Sequence, residues 1–261
     1  MPVRNSLSVL PTASKSPAAK QVVFCDFDGP IVDVSERYYQ TYLKGLLAVA
    51  QMQHPSALGS LKLQPLSKPQ FWQMKQDRVA DAEIAVLSGL PDDLFKPFMQ
   101  QVERIVNHPS LLQWDCIQPT AQTALAYLKQ CNLRLVLVTL RHPRQVQDFL
   151  QTQGLAHWVD AVYGATDIKA AYANRVAHKC ELLAAAIAQQ TAQGYLTEGS
   201  WMIGDTEADV LAGQAMELST AALSCGVRSE AYLQQLAPSD VYPCLLTAAR
   251  DVVAAVTPQA A

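Results

Sequence analysis

Residues 21–30 read QVVFCDFDGP, a short apolar run that ends in acids and passes into a turn. Val22, Val23 and Phe24 are strand formers with no polar residue between them. That pattern suits a strand buried on both faces. Asp28, Gly29 and Pro30 then break the run. A strand of this kind belongs in a parallel sheet covered by helices, and the C-terminal part of the chain has the matching texture. From Pro119 onward the spacing predicts a helix over about 120–130, a strand at 133–139, a helix from Pro143 to about Gln153 and a short strand at 159–163. A long helix over about 175–190 follows, then a strand at 200–203, a helix at 207–216, a strand near 218–224 and a last strand–helix pair near 240–255. Strands alternating with helices mean βαβ units, hence an α/β fold of Rossmann-like type with helices on both faces.

Between about 34 and 118 no strong strand signal occurs. Tyr38, Tyr42, Leu46 and Val49 mark one stripe of a helix from Ser35 to about Met52. A loop rich in proline follows over 53–70, then two helical segments near 70–88 and 92–107, with Asp92 and Asp93 suiting the start of the second. The chain therefore divides into a flexible tail (1–20), an α/β core (21–33 and 119–261) and an all-helical insertion after the first strand (34–118).

Composition narrows the function. Of 261 residues half are hydrophobic, enough for a sizeable core. Lys and Arg number 20 against 23 acids, a net charge of −3 that gives no general attraction to nucleic acid or anionic lipid. No apolar run approaches the ~18–20 residues of a membrane helix. Residues 1–20 lack the apolar stretch of roughly 7–15 residues that a secretory signal needs; they read as a tail, with an organelle transit peptide as the alternative. The six cysteines show neither zinc-ligand spacing nor a disulfide framework and read as reduced thiols of a cytoplasmic protein.

In parallel α/β sheets ligands bind beyond the carboxyl ends of the strands. Asp26 ends the first predicted strand, with Asp28 just beyond. Thr139 ends the second, and Asp205 follows the strand at 200–203. Asp209 stands one helical turn further, so four carboxylates are expected at one edge. Clustered like charges need a cation, and hard oxygen ligands with an open face suit Mg²⁺. Lys179, near the start of the long helix, offers a further positive charge.

These residues carry a family resemblance. VVFCDFDGP, Thr139, Lys179 and GDTEAD (204–209), in that order and at strand ends, resemble the four motifs of the haloacid dehalogenase superfamily, most of whose members are phosphatases. The resemblance implies that Asp26 attacks phosphorus and forms an aspartyl-phosphate. Asp28 would protonate the leaving alcohol and then activate water. It further implies Mg²⁺ held by the Asp26 carboxylate, the Asp28 backbone carbonyl and Asp205, with Asp209 assisting. Thr139 would bind the phosphoryl oxygens, and Lys179 would offset the charge of Asp26 and the phosphate. Lys179 matches the family's spacing better than Lys169. Asp28 argues against dehalogenation, because halide departure needs no proton. Pro30 departs from the Thr or Val usual there, and it lacks a backbone N–H.

Taken singly, each residue has a plain structural reading. Asp28-Gly29 alone would be a tight turn, Asp209 with Thr206 a capping box, Thr139 a strand-end hydroxyl and Lys179 a surface lysine. Only the joint pattern points to catalysis. The insertion resembles the helical cap of phosphoglycolate phosphatase and β-phosphoglucomutase relatives, and a closed cap implies a small phosphorylated metabolite such as phosphoglycolate. Arg37, Lys44, Trp72, Lys75, Arg78 and Arg141 are candidate substrate contacts, Arg141 being the best placed. Trp72 and Lys75 also read as cap core and solvated charge. The expected activity is that of a Mg²⁺-dependent phosphatase, monomeric or homodimeric. A phosphomutase on the same core and a non-catalytic phosphate-binding protein are the alternatives.

Overall fold

A computed structural model describes residues 20–52 and 62–256. The expected N-terminal tail and much of the proline-rich loop lie outside the described residues. Six strands, β1 (Gln21–Cys25), β4 (Arg134–Thr139), β5 (Ala161–Gly164), β6 (Leu196–Gly204), β7 (Ser219–Leu223) and β8 (Asp240–Tyr242), form one sheet. Its order is β5-β4-β1-β6-β7-β8 and every neighbouring pair is parallel.

β1 lies between β4 and β6, and the apolar run explains why. Val23 and Cys25 face one side, packed with Leu125, Leu128 and Val252 of the helices there. Val22 and Phe24 face the other, against Leu183 and Ala186. A strand covered on both faces needs apolar residues at every position. The covering helices are α6 (Ala121–Gln130) and α12 (Leu245–Val256) on the first side and α9 (Val176–Ala192) on the second. From β1 the chain passes to β4 on one flank, and from β6 to β7 on the other. The crevice between the ends of β1 and β6 is thus a topological switch point, where such sheets place ligands.

The insertion is helical, with a hydrophobic cluster of its own. It comprises α1 (Ser35–Met52), α2 (Lys68–Gln76), α3 (Asp81–Leu87), α4 (Asp92–Ile105) and α5 (Pro109–Leu112). Tyr42, Leu46, Val49, Phe71, Ile84 and Phe98 make its core. The helix expected over 70–88 is broken in two, because Arg78 adopts a left-handed φ of 63° between α2 and α3. Two short strands went unforeseen. β2 (Val32–Asp33) and β3 (Cys116–Ile117) pair antiparallel, so the chain enters and leaves the insertion side by side. Two residues per strand are too few to show a period in sequence.

Pro30 fits its turn. Ile31 and Val32 both donate to the Phe27 carbonyl and Gly29 donates to that of Val32, so no N–H is missed at position 30.

Candidate active site

Asp26 is the first residue past β1, and its N–H still bonds to the Ile203 carbonyl (2.8 Å). The ladder thus fixes where its side chain starts. Lys179, in the first turn of α9, is buried. Its Nζ lies 3.0 Å from Asp26 Oδ1 and 2.7 Å from Asp209 Oδ1. Lys169 is exposed elsewhere. Asp205, just past β6, accepts the Val227 N–H on Oδ2 (2.6 Å), while its buried Oδ1 has no partner. Gly29 and Gly226 pack flat against the Asp205 carboxylate, where a Cβ on either would overlap it.

Asp209 serves two ends. Its Oδ2 accepts from the backbone of Thr206 (3.0 Å) and from the Thr206 hydroxyl (2.8 Å), capping α10 (Glu207–Ala215). Its Oδ1 faces Lys179. The capping reading of this residue is met, and the same carboxylate joins the acid cluster.

Oxygens of Asp26, Asp205 and Asp209 lie within 4.8 Å of one another. Burial pushes the Asp26 carboxyl up to about 7, with Asp209 and Asp28 adding to the rise and Lys179 opposing it. Asp205 is raised well above the usual carboxylate range, by burial first and then by Asp209 and Asp26. Burial works against the Lys179 charge, but Asp209 and Asp26 outweigh it and hold the ammonium protonated. Asp26 and Asp209 share Lys179, and the buried Oδ1 of Asp205 lacks any donor. That donor set fits a hard divalent cation.

Asp28 departs from the expected four-acid cluster. Its carboxylate turns away from the other three, toward the guanidinium groups of Arg37 (2.9 Å) and Arg141 (3.0 Å). The crowding of three like charges is reason enough for a fourth to pair elsewhere. Both arginines also hold Asp115, a buried acid that the sequence did not single out. No local motif marks Asp115; only the antiparallel pairing of β2 with β3 brings it here.

A cavity of about 80 Å³ opens over these groups. Asp26, Thr139 and Asp205 line it from the sheet, and Tyr38, Lys75 and Arg78 from the insertion. Thr139 is buried at the end of β4, its hydroxyl accepting the Arg141 N–H (3.1 Å). Lys75 pairs with Asp81 (2.7 Å) and sits 5.4 Å from the Tyr172 ring. Trp72 does not line the cavity. It meets Tyr38 edge-on at 6.2 Å and packs against the α/β core. Lys44 is exposed. Arg78 and the buried Arg228 converge on Glu207, at 3.0 and 2.7 Å, and pull its carboxyl below the usual range against the effect of burial. Neither Arg228 nor Glu207 stood out in the sequence.

Comparison with known proteins agrees with this fold. Among curated proteins no sequence matches the chain significantly. Solved structures share the fold. A haloacid dehalogenase-like hydrolase from Streptococcus pneumoniae is 18% identical, with 89% of this chain and 98% of that one covered at a TM-score of 0.63. A predicted phosphatase from Clostridium acetobutylicum is 14% identical, with 91% and 100% covered at 0.63. A predicted phosphoglycolate phosphatase from Haemophilus somnus is 18% identical, with 89% and 97% covered at 0.60. At sequence level, the model of the haloacid dehalogenase-like hydrolases matches residues 22–223, from the start of β1 to the end of β7, and the chain belongs to that family.

Proposed function

We propose that the protein is a Mg²⁺-dependent phosphatase of small phosphorylated metabolites, working through phosphorylated Asp26. The observation that carries this reading is the meeting of Asp26, Lys179, Asp205 and Asp209 at the ends of β1 and β6, under a cavity roofed by the insertion. In this reading an Asp26 oxygen attacks phosphorus and the bond to the alcohol oxygen breaks. Asp28 gives that oxygen its proton. A water oxygen then attacks phosphorus, its proton passes to Asp28, and the Asp26–phosphorus bond breaks to free phosphate. Two displacements replace one that is very slow in water. Thr139 donates its hydroxyl proton to a phosphoryl oxygen. Lys179 offsets the repulsion between carboxylate and phosphate.

Mg²⁺ would be held by the carboxylates of Asp26 and Asp205 and the Asp28 backbone carbonyl, with Asp209 behind them. When bound it supplies positive charge against the phosphoryl oxygens. Helices α1 to α5 act as a cap over residues 34–118, excluding water and meeting the leaving group through Lys75, Arg78 and Tyr38. The small cavity and its basic lining support a compact acid phosphate, phosphoglycolate among them. The free cysteines suit a reducing cytoplasm, and the protein acts as a monomer or homodimer without nucleic acid or membrane.

The test is phosphate release from a panel of small phosphate esters, with and without Mg²⁺, by wild type and Asp26→Asn. Mg²⁺-dependent release that vanishes in the variant is expected. No release from any ester by folded wild type would overturn the reading.

A further inference from the structure

We propose that Asp115, with Arg37 and Arg141, is a positioning cradle for Asp28, complete only while the insertion is docked on the sheet. The proposal rests on the phosphatase reading, in which Asp28 handles the proton.

Four side chains interlock. Arg37 gives Nη2 to Asp28 Oδ2 (2.9 Å), while its Nε lies 2.8 Å from Asp115 Oδ1. Arg141 Nη2 lies between Asp28 Oδ1 (3.0 Å) and Asp115 Oδ2 (2.6 Å). The arginines are themselves held. Arg37 Nη1 donates to Asn107 Oδ1 (2.5 Å), and the Arg141 guanidinium lies 5.2 Å from the Phe27 ring. Planar guanidinium groups engaged at several points fix a carboxylate in direction as well as distance.

Exposure separates the members. The side chains of Arg37, Arg141 and Asp115 are 1% exposed and that of Asp28 is 16% exposed. Asp28 and Arg141 line the cavity, and of the two carboxylates only Asp28 reaches it. Each Asp28 oxygen faces one arginine, Oδ2 accepting from Arg37 and Oδ1 lying 3.0 Å from Arg141. A carboxylate oxygen offers about two acceptor sites, so each keeps one free for a proton. Asp115 is too buried for that chemistry. Its charge keeps two cations side by side that would otherwise repel across a single carboxylate. The four residues also come from two bodies. Arg37 lies on α1 and Asp115 directly before β3, both on the insertion side. Asp28 and Arg141 follow β1 and β4 of the sheet. Lifting the insertion would take Arg37 and Asp115 away from Asp28. Asp28 is thus the catalytic residue, and the other three position it.

The test uses p-nitrophenyl phosphate. Its phenolate leaves without a proton, so attack by Asp26 needs nothing from Asp28. Hydrolysis of phosphorylated Asp26 still requires Asp28 to take a proton from water. Asp115→Asn and Arg37→Gln should each release a burst of p-nitrophenolate close to one per enzyme. A steady rate about 10²-fold below wild type should follow, with phosphorylated protein visible by intact mass. A merely structural role would slow burst and steady rate together. Asp28→Asn is the control. If it shows the burst while Asp115→Asn turns over like wild type, or loses both phases equally, the cradle is overturned and the phosphatase reading stands. If Asp28→Asn shows no burst, the reading fails and the cradle with it. Should Asp115→Asn lack a cooperative melt, Arg37→Gln is judged by the same criteria.

Discussion

The Lys179 ammonium lies 3.0 Å from the Asp26 carboxylate, a buried cation beside the group proposed to attack phosphorus. Lys179→Met keeps the length of the side chain and removes the charge. We expect phosphate release to fall by about 10²–10³. The metal-free protein should also melt at a lower temperature, because Asp26, Asp205 and Asp209 would then repel without relief. Steady-state assays and a thermal melt check both, and activity near wild type would show that the charge is not used.

Stability should depend on pH in an unusual direction. The Asp26 carboxyl titrates near 7 when folded, against 3.8 in the unfolded chain, and Asp205 is shifted the same way. Between those values the folded chain holds more protons, so stability falls as pH rises. Lys179 is protonated in both states over this range and leaves the trend unchanged. The melting temperature of metal-free protein should therefore drop from about pH 5 to about pH 8. Mg²⁺ added at the upper end should recover it. A flat or rising profile without metal would contradict the burial of these acids.

Gly226 presses on the Asp205 carboxylate, and its neighbour Val227 donates an N–H to the same group. Gly226→Ala adds one methyl group that must displace Asp205. Mg²⁺ affinity, read from the metal dependence of activity, should weaken about 10–100-fold. The same dependence measured for Gly154→Ala, where nothing lies within 4 Å of the new Cβ, serves as the comparison and should not change.

Trp72 and Lys75 share α2 but face different tasks. Lys75 lines the cavity, so Lys75→Ala should raise KM several-fold with little change in melting temperature. Trp72 packs between the insertion and the core, so Trp72→Ala should cost about 1–3 kcal/mol of stability, below the range for a fully buried tryptophan. KM should stay near wild type. Denaturant melts and Michaelis curves separate the two effects.

The sheet was legible because β1 and β4 are continuous apolar runs that only a doubly covered strand explains, and acids or hydroxyls end each of them. α1 begins at Ser35 as its stripe implied. Asp26, Asp205, Asp209 and Lys179 came together as their order in the chain suggested. The direction of the Asp28 side chain was not legible, because it depends on two arginines and an acid brought close only by tertiary structure. Asp115 stands before two residues of strand, too short to carry a period. The break between α2 and α3 turns on one left-handed residue, Arg78, and arginine gives no signal for that conformation.

β2 and β3 pair residue for residue, Val32 with Ile117 and Asp33 with Cys116. The helical body therefore leaves and rejoins the sheet at neighbouring points, about 5 Å apart as in any antiparallel pair. A segment whose ends meet can be exchanged for another of different length without moving the scaffold that receives it. In the proposed mechanism Asp26, Lys179 and Asp205 would stay on that scaffold while the residues that meet the substrate leave with the exchanged segment. A newcomer would have to supply again what Arg37 and Asp115 give to Asp28.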